Sequence, residues 1–359
     1  MNDPRDNVST HVFGEQAGGV RLAFFGDLML GRGLSRTLKD HPPEWIWGDV
    51  LPVLRDSTAV IANLESPITS STRRWRRTWK MFHFRADTDA IDVLICANIR
   101  FVNLANNHMM DFEARGLMDT MRSLDRAGIR YAGAGRSAAE AARPALLELP
   151  GLTLGLISAT DTMAAFAAGS DHAGTHVIDV DPASPALAWI RASVELLRQR
   201  GANVIVLTLH WGPNMRLSPR RRFRTFAHAA IDCGVDVIHG HSAHIVQGVE
   251  IHKGRPILYD TGNFVDDYWK FPFLPDDVSF VFLLDLQVGG PQRLRMVPVR
   301  LHPEPLRIAT GRDRRSINDH LRRRSAAVGT ILVECADGLE VSGRLSISPD
   351  RMARDRIGG

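Results

Sequence analysis

Five short apolar runs in the 359-residue chain end in side chains that can hold a cation or move a proton. "VRLAFFGD" closes on Asp27, "STAVIANLE" on Asn63 and Glu65, and "IRFVNLANNH" on Asn106, Asn107 and His108. "ANVIVLTLHWG" carries His210, and "VDVIHGHSAH" carries His239, His241 and His244. A sixth run, "RPILYDTGNF", ends in Asp260 and Asn263. Carboxylates, an amide oxygen and neutral imidazoles are the donors that hard or borderline divalent ions take, with one carboxylate placed to bridge. Two such ions about 3.5–4 Å apart ionise a water and clamp the attacked group from both sides. One cluster would mean little, but five in succession point to a two-metal hydrolase. Plainer roles compete at single residues. Asp27 suits a turn, Glu65 a solvated loop, and His210 a satisfied core histidine. Asp260, Asn263, Asp266 and Asp267 read as a pocket rim. By strand alternation His239 is placed on the opposite side from His241, and His228, in a helix, is read as structural.

The elements that must position these groups alternate between strand-like and helical segments, the pattern of an α/β protein. Near-continuous Val, Ile and Leu predicts strands buried on both faces. Their carboxyl ends, where loops converge, are where such sheets bind ligands. "DTDAIDVLICANI" opens with an Asp able to cap a helix. "FEARGLMDTMRSLDRAG" stops at Gly128, and "PALAWIRASVELLRQRG" runs from Pro185 to Gly201. After Phe264, "DVSFVFLLDLQ" and "RLRMVPVRL" flank "VGGPQ" as a hairpin. A basic helix at about Arg315–Arg324 and a strand pair around "TILVECADGLEVSG" follow. No repeat or linker divides the chain. One domain is expected over 20–345, with motifs in 21–267 and C-terminal strands and helix in 277–345, between flexible segments 1–19 and 346–359.

A composition 44% hydrophobic and 23% charged excludes a largely disordered chain. The arginine-rich runs Arg73–Lys80 and Arg216–Arg224 read first as solvated faces. Arg73 or Arg216 is a candidate to grip a substrate carboxylate or phosphate. At a net charge of only +4, nucleic acid is not an expected partner. Cys96, Cys233 and Cys335 are far apart, which predicts buried thiols in a reducing compartment. Residues 1–19 hold no signal-peptide core, and no apolar stretch reaches the roughly 18 residues of a membrane span, so a cytoplasmic location is expected.

The motifs "GDLMLGR", "NLESPIT", "NLANNHMMD", "HWGPN", "GHSAHIVQGVE" and "LYDTGNFVDD", in that order, resemble those of the CapA family of poly-γ-glutamate capsule synthesis. The resemblance implies a metallophosphatase-like four-layer α/β/β/α sandwich. It makes Asp27 the first metal carboxylate, Glu65 the bridging one, Asn107 the amide ligand, and His210, His241 and His244 the imidazole ligands. His108 matches the imidazole that protonates the leaving group, with Asn63, Asn106 and Asp111 holding the ligands in orientation. Two places depart from the wider superfamily: Met29 stands where a His is usual, and Asn63-Leu64-Glu65 replaces Gly-Asp-x-x-Asp. A third departure is the N-terminal membrane anchor of typical capsule-synthesis members, which is not read here. The expected function is a metal-dependent hydrolase of a phosphoester or an anionic amide or peptide-like substrate, linked to poly-γ-glutamate or capsule polymer metabolism. It would use one or two Mn²⁺, Fe²⁺ or Zn²⁺ ions. Two alternatives remain open at this level: a metal-independent peptide epimerase using the same Asp/His cluster, and a non-catalytic factor that grips an anionic polymer.

Overall fold

The computed structural model describes residues 19–270, 273–343 and 345. The ends expected to be flexible, 1–19 and 346–359, lie outside the described residues apart from Gly19. Alternation along the strand Val20–Leu28 sets the layering, because neighbouring side chains point to opposite faces. Leu22 and Phe24 join Ile61, Phe101, Leu154, Val206 and Val237 in one apolar core. Ala23 and Phe25 face the other way, onto Trp47, Leu54, Leu94 and Leu117 from helical segments. A third core packs Ile157, Ile205 and Leu207 against Ile190, Val194 and Phe226. Three cores separate four layers, so the α/β/β/α sandwich is observed.

In the first, ten-stranded sheet, Val20–Leu28, Ala59–Leu64, Ile99–Asn103 and Arg130–Ala132 run parallel in that order. The expected hairpin, Val278–Gln287 with Gly290–Arg300, adds antiparallel to the far side of Val20–Leu28. In the second, six-stranded sheet, Leu152–Thr160, Val204–His210, Val237–His241 and Arg255–Leu258 run parallel. Antiparallel strands Ala145–Leu149 and Val249–His252 form its edges. Register brings the parallel ends level: Asp27 lies opposite Asn63 and Asn263, Asn63 opposite Asn103, and His210 opposite Thr160 and His241.

The helix after Asp87 spans Ala90–Cys96, but Asp89 before it makes no side-chain capping hydrogen bond. Gly128 ends Glu113–Ala127 in the left-handed conformation, φ 68°, as its sequence requires. The basic helix runs longer than expected, Gly311–Ala326, and the last strand pair is Leu332–Glu334 with Leu339–Val341. All three cysteines are free; Cys233 is buried, but Cys96 and Cys335 are only half-buried, which corrects the expectation for those two. Among the described residues no helix is long and apolar enough to cross a membrane.

Close approach of backbone fixes one glycine beside the histidines. A Cβ on Gly240 would lie 2.0 Å from the Tyr259 carbonyl oxygen and 2.7 Å from Trp211 Nε1. Gly240→Ala is expected to destabilise the fold by about 1–3 kcal/mol, the usual cost of overpacking a filled interior. The readout is a lower urea midpoint at unchanged slope; an unchanged midpoint would show that the two strands separate freely.

Candidate metal centre

Where the two parallel sheet ends meet, Asp27, Glu65, His210, His241 and His244 come together, all buried. Asp27 Oδ2 lies 3.2 Å from His244 Nδ1, and Asp27 Oδ1 3.8 Å from His210 Nδ1. Glu65 Oε1 is 3.8 Å from His210 Nε2, and His210 Nδ1 is 3.2 Å from His241 Nδ1. The donors form two triads, Asp27–His210–His241 and Asp27–Glu65–His244, each with one atom per residue within 4.8 Å of the others. The shared carboxylate is thus Asp27, whereas the resemblance implied Glu65 as the bridge; Glu65 reaches the other triad only through its approach to His210. Glu65 Oε1, Asn107 Oδ1 and His241 Nε2 are buried without a hydrogen-bond partner. Orphaned buried acceptors of this kind are costly unless a cation takes them. The donor set, oxygens with imidazoles, fits a borderline divalent ion. Met29 is buried, with its sulfur 3.3 Å from the Gly31 N–H, and so takes no part.

Burial holds the imidazoles of His210 and His241 neutral, the form that binds metal. It pulls His210 down to about 3, and His241, which also faces His239 and His210, well below its usual range. Glu65 is pushed well above the usual carboxylate range by burial and then by the charge of Asp27. For His244 burial works against the imidazolium, yet Glu65 and Asp27 carry it up to about 10. Two carboxylates this close need a positive charge between them, and without an ion His244 supplies it.

A web of amides holds these groups. Asn63 Nδ2 donates to Asp27 Oδ1 at 2.7 Å and lies 3.3 Å from His210 Nδ1. Asn63 Oδ1 accepts from Asn103 and Asn106 at 2.8 and 3.1 Å. Asn106 Oδ1 in turn accepts the backbone N–H groups of His108 and Met109. Asp260 and Asn263 do not line a rim. Both carboxylate oxygens of Asp260 accept backbone N–H groups, from Ala243 at 2.6 Å and Gly262 at 2.8 Å, and Asn263 Oδ1 meets His244 Nδ1 at 2.9 Å. They shape the turn that presents His244, whose φ of 60° and that of Ser242, 111°, are rare for non-glycine residues. The expectation that His239 faces away from His241 is corrected: the two share a face, their rings 5.1 Å apart, because residues two apart in a strand point the same way. Its Nε2 donates to the Phe25 carbonyl between the sheets, 2.9 Å away.

His108 stands beside the triads. Its Nδ1 lies 2.6 Å from Asp111 Oδ2, and its ring stacks on Phe84 at 3.8 Å. Burial lowers its pKa to about 4, with Asp111 opposing. Lys80, the end of a run expected to be solvated, is instead buried here. Its ammonium pairs with Asp111 Oδ1 at 2.9 Å, lies 3.3 Å from His108 Nδ1 and donates to the Asn107 carbonyl. Tyr268 donates to Glu65 Oε2 at 3.2 Å. Neither Lys80 nor Tyr268 was legible as a site residue, since both are brought in by loops. Arg73 is exposed and paired with Glu113 at 3.0 Å, and Arg216 lines a separate surface cleft with Trp211 and Tyr259. Lys80→Met is expected to raise the pKa of His108 from about 4, because it removes a cation and frees Asp111 to favour the imidazolium. Histidine NMR titration reads this out; an unmoved or lower value would show that Lys80 does not govern the ring.

Four layers with carboxylate and imidazole triads at the shared edge of two parallel sheets define a metallophosphatase-type fold. Residues 21–268 match the family described as "Bacterial capsule synthesis protein PGA_cap", and the chain belongs to that family. A Mycobacterium tuberculosis protein named for an accessory role in polyglutamine synthesis is 30% identical over 364 residues, covering 89% of this chain and 95% of its own. The PGA biosynthesis protein CapA of Bacillus subtilis is 28% identical over 294 residues, covering 80% of this chain and 74% of its own. Among solved structures, a phosphatase of Mycoplasma pneumoniae aligns at 10% identity and a TM-score of 0.48, over 79% of this chain and 94% of that one.

Proposed function

We propose that the chain is a metal-dependent hydrolase of an anionic substrate, a phosphoester or an amide-linked glutamyl polymer, acting in capsule or polyglutamate metabolism. The observation that carries this reading is the pair of buried triads sharing Asp27 beside the His108–Asp111 pair. Asp27, His210 and His241 would hold one ion, Asp27, Glu65 and His244 the other, with Asn107 Oδ1 free to join. Bound Mn²⁺, Fe²⁺ or Zn²⁺ supplies an ionised water at neutral pH and charge stabilisation on the attacked group. The protein's own part is to hold and move protons. Asp111 fixes Nδ1 of His108 and leaves Nε2 as the nitrogen that can serve the leaving group. An anionic substrate beside the ring raises the pKa of His108, so the ring gains its proton as substrate binds and gives it up as the bond breaks. Arg32 stands over the rings of Phe82 and Phe84, 5.8 Å from each centroid, and pairs with Asp267 at 3.4 Å; it is the arginine we place nearest the substrate. The names of the relatives direct the choice of substrate toward polyglutamate.

The test incubates the full chain with poly-γ-glutamate and, separately, with p-nitrophenyl phosphate, with added Mn²⁺ or with chelator. Cleavage of either substrate, dependent on the ion, supports the reading. Turnover that survives chelation, or no turnover of either substrate together with no bound metal, overturns it.

A further inference from the structure

We infer that His228, Glu250 and His252 form a second binding site for a borderline divalent ion such as Zn²⁺, sharing no residue with the centre around Asp27. Glu250 and His252 lie two apart in the edge strand Val249–His252 and so present one face, toward His228 of the helix Arg221–Asp232. The three residues each offer a donor atom within 4.8 Å of the others. The rings of His228 and His252 stack at 3.8 Å, tilted by only 3°. Parallel rings hold their in-plane lone pairs parallel, so the pair takes one ion, at bonds of about 2.0–2.1 Å, once one ring turns about χ2 and its nitrogen converges with Glu250 Oε1.

Two further observations separate this cluster from an ordinary packed pair of histidines. His252 Nε2 is buried and has no hydrogen-bond partner. Glu250 already has the partner that ligating carboxylates need: the Tyr259 hydroxyl donates to Oε2 at 2.6 Å, leaving Oε1, 2.9 Å from His228 Nε2, as the ligand oxygen. Arg224 opposes the ion, lying 3.3 Å from Glu250 Oε1, but its side chain is partly exposed and can turn to water. A bound ion would tie the helix to the edge of the second sheet.

The experiment titrates metal-free full-length chain with Zn²⁺ by calorimetry and with Co²⁺ by visible absorption. The wild type is expected to take up one equivalent more than His252→Ala or His228→Ala, whose affinity at this site falls by more than the roughly 100-fold upper cost of losing an outer partner. Both positions are partly exposed, so folding should survive. The same difference is expected in a His241→Ala background, which keeps this result independent of the Asp27 centre. Arg224→Gln should tighten binding, a gain that misfolding cannot produce. Equal stoichiometry and affinity in the wild type and all three variants overturn the inference.

Discussion

Asp27→Asn is expected to abolish both ion sites of the centre together, whereas His241→Ala leaves the Asp27–Glu65–His244 triad able to bind. The asymmetry follows from geometry: Asp27 is the member common to both triads, and His241 belongs to one. In a His252→Ala background, which removes the separate peripheral site, elemental analysis after gentle purification should find bound ion near zero in Asp27→Asn and an intermediate content in His241→Ala. Stability should follow. With free ion about a thousandfold above Kd, one bound ion adds about 4.1 kcal/mol, and in the same background Asp27→Asn should lose the stabilisation that added Mn²⁺ or Zn²⁺ gives the His252→Ala parent. The raised pKa of His244, about 10, adds a second readout, because an imidazole that holds a proton in the free protein must release it when it takes an ion. Binding enthalpies should therefore vary with the ionisation enthalpy of the buffer. An Asp27→Asn protein that keeps the metal content of the wild type would remove the shared carboxylate from the centre.

The layering was legible in sequence because a strand buried on both faces needs an unbroken apolar run, and such runs end abruptly at Asp27, Asn63 and His210. The pair Ala145–Leu149 and Leu152–Thr160 was not read. Its longer strand is diluted by Gly155, Ser158 and Thr160, which sequence pattern alone treats as breaks. In the fold these have local reasons: a Cβ on Gly155 would meet Leu197 and Ile205 at 2.7–2.8 Å, and Ser158 bonds Thr208 across strands at 2.7 Å. The candidate donors Asp27, His210 and His241 were legible because they sit on strand ends, whose positions the strands dictate. Lys80 and Tyr268 were not, because loops bring them in and loop paths leave no periodic trace; Arg32 opens the helix Arg32–Lys39, and nothing in its type or spacing marks it as a site residue. Which side chain serves both triads depends on side-chain direction within the cluster, and spacing along the chain carries no information about that. The same holds for Asp260 and Asn263, whose types suit a rim but whose acceptors are consumed in shaping the turn at His244.

His108→Ala should lower turnover by roughly 10²–10⁴-fold, the usual contribution of a placed proton donor, while metal content stays at the wild-type level. The separation is possible because His108 belongs to neither triad. Its contacts are Asp111, Lys80 and the stacked Phe84, so the change removes a proton carrier and leaves the ion donors in place. Phe84 loses a stacking partner but keeps its anchor, the bond from its N–H to Asp111 Oδ2 at 2.7 Å. Added imidazole should restore part of the rate by entering the space left over Phe84, a rescue that a folding defect would not show. If the chain instead grips an anionic polymer without cleaving it, affinity for poly-γ-glutamate should be the same in His108→Ala and wild type. Full turnover in a metal-loaded His108→Ala protein would exclude this ring from the chemistry and pass the proton-donor role to Tyr268 or Lys80, the other groups that can donate a proton beside Glu65 and Asn107.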